Sequence, residues 1–485
     1  MATLTDRARL FVDLHDIELR ENVVRTFHQA TKYGRHPVLR QEASWEKHPG
    51  MTASVIYDEE EQVFKAWYMA GVPREGHAAH VQCLALSPDG IHWERPEIGI
   101  HEFDGSKRNN IVIPATHHDG MDHWESMLKD PLVQGGPERG GHPAQYKAVG
   151  WSSYDWDGPM SGIYTAWSPD GINWSHSPEP IFHFHPRPGT ADLGPIGDAQ
   201  SFMIDTIRKR YVAFLRDGMK RSMSTSEDFV NWTRPKPFLD ILNEEETLYN
   251  NTGFVYGEQY LGFLTHFDRN AYAQTQTLHL LSGRDGETWR RPGFGMGRYT
   301  PLIPTGEVGE WDRFQILLTG APPIRVGDRL HIYYRGTSRR HNKVRGEFEP
   351  RIDPDQDEPR FPLAPPGART SMAIGLATIR LDGFASIDAS YDGGWIQTRP
   401  LALGGEHLSV NVVSDWGDAR VELLDERDKP IPGYTRDECI PMSRDSVDAR
   451  VRWKERESVA ELAGRPVKLK FYLRNARLYS YRCVT

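Results

Sequence analysis

The chain has 485 residues, too many for a single ordinary core, so we expect two domains with one of them large. Apolar residues make up 38% of the chain and charged residues 26%, which is typical of globular proteins rather than disordered or membrane ones. The formal net charge of −9, with no offsetting run of Lys and Arg, argues against a nucleic-acid partner.

A turn containing aspartate and followed by tryptophan recurs along the chain. Its tryptophans, Trp93, Trp174, Trp232 and Trp289, are 81, 58 and 57 residues apart, and a degenerate fifth copy spans residues 371–384. In each copy an alternating strand runs into an Asp-Gly or Asp-Phe turn, where Asp can bond neighbouring backbone, Gly supplies a positive φ and Trp holds the returning chain. We interpret these turns as structural.

A second element precedes each turn. It consists of strands rich in β-forming residues, each following a turn and a shorter strand, at residues 63–71, 145–153, 210–218, 259–267 and 329–337. Together the two elements describe five four-stranded antiparallel units of roughly 55–80 residues each. The sequence therefore predicts a five-bladed β-propeller over residues 1–383.

The repeat stops after Phe384. Four later segments alternate like strands, at residues 408–414, 419–426, 448–454 and 467–475, and predict a small C-terminal β-sandwich over residues 384–485. Residues 338–370 are charged and Pro-rich, and are predicted to form a loop inserted in the fifth blade. The predicted fold class is all-β.

No segment approaches the ~18 consecutive apolar residues of a membrane span, and the N-terminus has no signal-like segment. We therefore expect a cytoplasmic protein with no membrane partner. Cys83, Cys439 and Cys483 are widely spaced and lack a Cys-x-x-Cys pattern, so they are interpreted as ordinary reduced thiols.

Four segments carry a family resemblance: VIYDEEEQVFKAWY from residue 55, GDAQSFMIDTIRKRYVAFLR from residue 197, GEWD from residue 309 and RNARLYSY from residue 474. Together with the repeated turns they resemble the five-bladed-propeller glycoside hydrolase superfamily, which includes families 32, 43, 68 and 117. The resemblance is greatest to a family-32-like group that has a C-terminal β-domain, and it covers nearly the whole chain. It implies a glycosidase, with furanosides among the substrates of such enzymes. It also implies three carboxylates at the axial ends of the inner strands of blades one to three.

The signature motifs of those families are missing from this chain. Blade one lacks Asn-Asp-Pro-Asn and blade three lacks Glu-Cys. Lys129-Asp130-Pro131 resembles an Arg-Asp-Pro motif, but it follows a predicted inner strand, so Asp130 is expected to be a hairpin residue. Candidate site residues therefore come from aligning the blades, which brings the starts of the inner strands to one rim.

Glycosidic cleavage needs one protonated and one ionised carboxyl group beside the bond. On the aligned rim we predict Glu46 as base or nucleophile, Asp122 or Glu125 as orienting or acidic group, and Asp198 as a third carboxylate. In the competing interpretation, each of these carboxylates is either a solvated loop residue or a residue whose hydrogen bonds stabilise its blade. Predicted substrate-binding residues on the same rim are Trp45, His48, His123, Trp124, Gln200, Asn250, Gln315 and Arg335.

Three other features of the sequence bear on the site. Residues 244–246, three glutamates, are interpreted as a surface charge run, and Arg216 as a group that can reach the axis. Histidine clusters at His117, His118 and His123 and at His183 and His185 have the chemistry of metal ligands but are interpreted as polar loop residues, so no metal or cofactor is expected.

The sequence leaves three functions open. The first is a glycoside hydrolase or transglycosidase acting on a small saccharide. The second is a glycoside phosphorylase, which would bring two or more Arg, Lys or His residues to the pocket. The third is a non-catalytic sugar-binding propeller or scaffold. The expected partner is a small carbohydrate, and a homo-oligomer is left open.

Overall fold

The computed structural model describes residues 2–34, 36–46, 49–50, 52–72, 79–114, 123–133, 144–152, 159–185, 196–244, 246–269, 274–293, 300–307, 310–338, 341 and 372–485. Throughout these ranges the regular structure is β, apart from one 3₁₀ turn at Ala460–Leu462. The predicted all-β class, a propeller followed by a sandwich, is confirmed.

Five short strands come first in the chain. They are β1 (Ala2–Leu4), β2 (Arg9–Leu10), β3 (Ile17–Glu21), β4 (Val24–Phe27) and β5 (Thr31–Lys32). β1 to β4 pair with strands near the C-terminus, and β5 pairs with a strand of the fifth blade.

The first three blades are sheets of consecutive antiparallel strands. Blade one contains β6 (Ala53–Asp58), β7 (Val63–Val72), β8 (Ala79–Ser87) and β9 (Ile111–Ile113). Blade two contains β10 (His123–Lys129), β11 (Tyr146–Ser152), β12 (Gly162–Ser168), β13 (Ser175–His176) and β14 (Phe182–His183). Blade three contains β15 (Ser201–Asp205), β16 (Arg210–Asp217), β17 (Lys220–Ser226) and β18 (Lys236–Leu239).

Blades four and five are joined by one parallel bridge, between Gln276 and Gln315. Blade four contains β19 (Glu246–Tyr256), β20 (Gln259–Asp268), β21 (Gln276–Gly283) and β22 (Trp289–Arg290). Blade five contains β23 (Gln315–Leu318), β24 (Ile324–Val326), β25 (Arg329–Thr337) and β26 (Ala373–Arg380). The predicted loop at 338–370 lies outside the described residues except for residues 338 and 341.

The repeated aspartate turns have the predicted structural role. In the first copy the Asp89 carboxylate accepts hydrogen bonds from the backbone N–H groups of Ile91 and His92, both at 2.8 Å. Gly90 has a φ of 75°, in the left-handed region that favours glycine. The copy at Asp170 repeats these bonds at 2.9 and 2.8 Å. The turns therefore hold the blades together and carry no chemistry of their own.

Hydrogen bonds between a tyrosine and an aspartate join blade one to blade two and blade two to blade three. The Tyr146 hydroxyl donates to Asp58 at 2.7 Å, and the Tyr211 hydroxyl donates to Asp130 at 2.6 Å. Asp130 also accepts the backbone N–H of Leu132, as expected of a hairpin residue. Its second oxygen accepts the Lys147 ammonium at 2.5 Å, so this hairpin residue is also half of a fully buried ion pair.

The ring of blades is closed from both ends of the chain. β5 pairs with the outermost strand of blade five, with Lys32 opposite Ala377. The Tyr333 hydroxyl of blade five donates to the Gly90 carbonyl of blade one at 2.8 Å. An N-terminal strand thus completes the last blade, so the two chain regions must meet before the propeller closes.

The C-terminal strands are β27 (Ala385–Ala389), β28 (Gly394–Thr398), β29 (Leu401–Leu403), β30 (His407–Val413), β31 (Asp418–Leu424), β32 (Asp445–Arg450), β33 (Lys468–Arg474) and β34 (Ala476–Val484). One sheet has the order β32-β30-β34-β27-β4, and the facing sheet has the order β3-β28-β33-β31. Their inner faces share one hydrophobic core, which includes Phe11 from the N-terminal segment. The sequence assigned residues 1–383 to the propeller, whereas the strands of residues 2–27 pair with strands that follow residue 384.

Candidate active site

The inner strands of the blades meet around the axis of the propeller, as polar contacts between their first residues demonstrate. The Thr52 hydroxyl just before β6 donates to the Trp124 carbonyl in β10 at 2.5 Å. The Asn250 amide in β19 lies 3.5 Å from the Glu125 carboxyl oxygen Oε2 in β10. Residues from blades one, two and four therefore lie at one end of the axis.

Glu125 is placed by an irregularity in its strand. The β10–β11 register passes from Trp124 directly to Ser126, so Glu125 is the extra residue of a β-bulge. Tyr249 is skipped in the same way in β19. Bulges redirect side chains and are frequent beside active sites, and here two of them occur in inner strands at the same end of the axis.

The Glu125 carboxyl is buried, with 8% of the residue exposed. Burial raises its pKa to about 7, and the negative charge of Asp198 adds to this effect. The charge of Arg335 and a hydrogen bond from the Trp151 indole at 3.2 Å oppose it. Glu125 is therefore a carboxyl group that is partly protonated at neutral pH, which is the state a general acid requires.

Two buried arginines flank this carboxyl. Arg335 in β25 donates through Nε to the Leu318 carbonyl at 3.0 Å, and burial lowers its pKa. Arg221 in β17 donates to the Asn251 side-chain oxygen at 2.7 Å, and burial lowers its pKa to about 9, with the charge of Arg216 adding to the effect. Both guanidinium groups interact electrostatically with Glu125, so the site has a positive wall.

Asp198 and Arg216 form an ion pair at the more open side of the site, where the Asp198 side chain is 39% exposed. The Arg216 guanidinium lies over the Tyr249 ring at 4.9 Å. The His341 ring also contacts Tyr249, with 5.0 Å between centroids, and burial lowers the His341 pKa. The charge of Asp198 is thus held beside a cation and an aromatic ring.

A stacked pair of aromatic rings also lies in the site around Glu125. His123 and Trp151 lie with ring centroids 4.0 Å apart and planes at 3°. Burial, together with the charges of His80 and Arg335, lowers the His123 pKa to about 3. His123 is therefore neutral at physiological pH and can donate or accept one hydrogen bond.

Two buried amide oxygens of the rim have no hydrogen-bond partner among the described residues: Oε1 of Gln200 and Oδ1 of Asn250. Buried polar atoms in folded proteins are nearly always satisfied by protein, water or a ligand. Gln200 directly precedes β15 and Asn250 lies within β19, so each leaves a buried acceptor beside the axial site.

Glu46 lies in a different environment from Glu125. It is fully buried and its Oε2 accepts the backbone N–H groups of Glu42 and Ala43. Its Oε1 accepts the Tyr68 hydroxyl and, at 2.7 Å, the Arg95 guanidinium. Every acceptor direction of this carboxylate is used within blade one, which is the arrangement of a hydrogen bond that locks a blade.

The other predicted residues are distributed as follows. Trp45 donates its indole N–H to Asn110 at 2.8 Å, and Trp124 packs into the hydrophobic core shared by blades one, two and three. Gln315 is buried at the start of β23. Asp122 and His48 lie outside the described residues.

The interpretation of residues 244–246 as a surface charge run is wrong for Glu246. This residue is buried, and it accepts bonds from His266 at 3.0 Å and from the Arg291 guanidinium at 3.0 and 3.2 Å. Burial alone raises its pKa, but these bonds outweigh burial and lower the pKa to about 2. The partners are distant in sequence, which is why the local run of glutamates was misleading.

Sequence reasoning missed Trp151, Arg221 and His341. A signal for Trp151 existed, because the repeat aligns it with Arg216 and Arg335 at one position of the second strand in blades two, three and five. No such signal marks Arg221, whose role follows from its contacts to blade four.

A separate cavity of about 400 Å³ lies toward the opposite ends of the inner strands. It is lined by residues that include Ile56, Leu128, Ile204 and Phe254. Leu128 is three residues beyond Glu125 on β10, about 10 Å along an extended strand. This cavity is largely apolar and is distinct from the site around Glu125.

Three further observations limit the chemistry of the described residues. The three cysteines are free and buried. In the ranges given above, no group of three or more His, Cys, Asp and Glu residues is close enough to hold a metal ion. The same ranges contain no helix long and apolar enough to cross a membrane.

No family model and no curated protein matches the chain. Among solved structures, one described as a glycoside hydrolase is 10% identical, covers 72% of this chain and 92% of its own, and has a TM-score of 0.48. A β-1,2-mannobiose phosphorylase from Listeria innocua is 10% identical over 73% of this chain and 97% of its own, with a TM-score of 0.44. A glycosyl hydrolase from Bacteroides ovatus is 12% identical over 73% and 94%, with a TM-score of 0.43. At these values the similarities do not assign an activity.

Proposed function

We propose that this chain is a carbohydrate-active enzyme that cleaves a glycosidic bond at the axial end of its propeller, with Glu125 as the general acid. The observation that carries the proposal is the buried Glu125 carboxyl, whose pKa is raised to about 7. A general acid works best when its pKa lies near the working pH, because much of it is then protonated and its proton is still readily transferred. In the proposed step the Glu125 O–H gives its proton to the glycosidic oxygen as the bond to the anomeric carbon breaks.

The second carboxylate of the proposal is Asp198. Its ion pair with Arg216 holds it at the more exposed side of the site, and its charge helps to raise the Glu125 pKa. Two carboxyl groups in different environments, one buried and one ion-paired, can divide the acid and base roles. Asp198 would orient an attacking water and balance the positive charge that develops on the sugar ring.

The substrate side of the site suits a small saccharide. The stacked rings of His123 and Trp151 give an aromatic surface, and the amides of Gln200 and Asn250 give acceptors without protein partners among the described residues. We propose a short oligosaccharide or simple glycoside as the substrate, with a furanoside favoured by the sequence resemblance.

A second candidate function is phosphorolysis, in which inorganic phosphate replaces water as the nucleophile. The observation that favours it is the positive wall formed by Arg221 and Arg335 beside the Glu125 carboxyl, with Arg216 nearby in its ion pair with Asp198. Arginine is well suited to phosphate because its planar guanidinium offers several donors at once. In that reaction phosphate is itself the nucleophile, so Asp198 would position the sugar rather than activate water.

Turnover of defined substrates tests both candidates. Nitrophenyl pyranosides and furanosides, mannobioses, fructans and arabinan fragments are incubated with the protein, with and without phosphate. Glu125→Gln is expected to lower kcat by about 10²-fold or more on natural leaving groups. The effect should be smaller on dinitrophenyl glycosides, whose leaving groups need little protonation.

Glu422→Gln is the matched control, because Glu422 is a carboxyl of similar burial, at 7% exposed, that lies in the C-terminal sandwich. It should retain the wild-type kcat. Turnover only in the presence of phosphate would select the phosphorylase. Absence of turnover on the whole panel, or equal activity of the Glu125→Gln and Glu422→Gln variants, would contradict the proposal.

A further inference from the structure

Three loops meet at one end of the C-terminal sandwich. They are residues 390–393 between β27 and β28, residues 414–417 between β30 and β31, and the tight turn at Asn475 between β33 and β34. The Asn475 backbone N–H donates to the Ser390 carbonyl at 2.8 Å, and its side-chain amide donates to the Trp416 carbonyl at 2.9 Å. Asn475 thus ties the other two loops together.

Each of the two outer loops presents an exposed aromatic ring. Trp416 is 88% exposed and Tyr391 is 72% exposed, the two highest values among the large hydrophobic residues of the described ranges. Elsewhere on this domain aromatic rings are covered by cations, as for Trp395, which lies 3.8 Å from the Lys470 ammonium. The Arg474 guanidinium also lies over the Tyr391 ring, but at the longer distance of 5.7 Å from the ring centroid.

The backbone under Trp416 is closely packed. A Cβ at Gly417 would lie 1.9 Å from the Arg474 carbonyl oxygen, so only glycine fits there. The Gly417 carbonyl accepts the Ser443 hydroxyl at 2.8 Å. A ring on a fixed loop loses little conformational entropy when a ligand stacks on it, so the arrangement favours binding.

The charges around the two rings exclude a polyanionic ligand. Asp392 and Asp415 are the immediate neighbours of the rings in sequence, and Asp418 takes up the Arg474 guanidinium at 2.7 Å. Nucleic acids and anionic lipid surfaces require a basic surface, which this end of the domain does not provide. Aromatic faces beside carboxylates suit a neutral ligand that has both apolar C–H faces and hydroxyl donors.

We propose that Trp416 and Tyr391 form a platform that binds a neutral glycan, separate from the axial site. The C–H faces of successive sugar rings would pack on the indole and phenol rings, and sugar hydroxyls would donate to Asp392 and Asp415. This surface would bind a glycan in its own right, independently of the small saccharide proposed as the substrate of the axial site.

Native gel electrophoresis in gels that contain soluble mannan, inulin or arabinan tests the platform on the full-length protein. The mobility of the wild type should fall in at least one polysaccharide, and Trp416→Ala and Tyr391→Ala should each weaken that binding by about tenfold or more. Tyr33→Ala is the matched control, because Tyr33 is a 47% exposed tyrosine of the propeller region. Glu125→Gln should bind like the wild type, which separates this test from that of the axial site.

Equal retardation of the wild type and the Trp416→Ala, Tyr391→Ala double variant would overturn the proposal, as would no retardation in any of the three polysaccharides. Sedimentation of the same proteins tests whether a second copy of the chain occupies this surface instead. Self-association that disappears in the double variant, without polysaccharide binding, would make this surface a contact between copies of the chain and would also overturn it.

Discussion

Replacing Glu125 with Gln should stabilise the protein at high pH, although it removes the proposed catalytic group. The folded-state pKa of about 7 lies above the ordinary value of 4.5, so ionising Glu125 costs more in the folded state than in the unfolded chain. At about 1.4 kcal/mol per pH unit, the full cost is about 3 kcal/mol. Glutamine has nearly the same shape and cannot ionise, so the variant avoids this ionisation cost.

The pH dependence has a definite sign. Below about pH 4.5 Glu125 is protonated in both states and wild type and variant should differ little. As the pH rises from about 4.5 to about 7, Glu125 ionises in the unfolded chain but not in the folded protein, so the wild type alone loses stability, and above pH 7 the difference levels off. The free energy of unfolding of Glu125→Gln relative to wild type should therefore increase by about 3 kcal/mol between pH 4.5 and 8.5. Urea denaturation at several pH values and constant ionic strength measures this difference.

Glu246→Gln is the control of opposite sign. Hydrogen bonds lower the Glu246 pKa to about 2, so its carboxylate stabilises the fold above the unfolded pKa and this contribution is lost as the pH falls. The Glu246→Gln variant should be less stable than wild type at neutral pH, with a deficit that shrinks toward pH 2. A relative stability of Glu125→Gln that is independent of pH would refute the reasoning about the Glu125 environment.

Three further variants separate structural from chemical roles. Asp130→Ala leaves the Lys147 ammonium buried without its carboxylate and should lower the free energy of unfolding by about 3–5 kcal/mol in urea denaturation; a change under about 1 kcal/mol would contradict this. Glu46→Gln removes the charge that faces Arg95, so it should lower stability while the folded protein keeps its kcat; a kcat as low as that of Glu125→Gln would instead make Glu46 catalytic. Asp198→Asn should lower kcat/KM by about 10²-fold in steady-state assays with a small change in thermal stability, because its side chain is partly exposed, and unchanged kinetics would remove it from the mechanism.

The blades were predictable because their signals are local. The first two aspartate turns each use a serine, an aspartate and a glycine within four residues, and the structure repeats the same bonds at Asp89 and Asp170. The alternating strands beside the turns follow directly from the two-residue period of a β-strand. The all-β class therefore needed no long-range information.

The pairing of the N-terminal segment was not predictable in the same way. β2 is two residues long and pairs with β34, where Arg9 lies opposite Tyr481. A strand that short carries no usable alternation, and its partner is hundreds of residues away in sequence. Pairing of this kind depends on the tertiary fold rather than on local propensity.

The candidate site was predictable by position only. The repeat brought Glu125 and Asp198 to the rim, but it could not distinguish them from Glu46, whose partner Arg95 lies in a later turn of the same blade. The bulge that places Glu125 also has no sequence signature, since it consists of one unpaired residue in an ordinary strand. The roles of these three carboxylates stay predictions.

The pH dependence of kcat/KM tests the central claim most directly, on whichever glycoside the wild type turns over. With Glu125 as general acid, kcat/KM should be level up to a pH of about 7 and then fall about tenfold per pH unit as the carboxyl ionises. The fall should be reduced for a dinitrophenyl glycoside, whose leaving group does not need the proton. A level profile through pH 9 on a natural leaving group would contradict the assignment of Glu125 and, with it, the proposed mechanism.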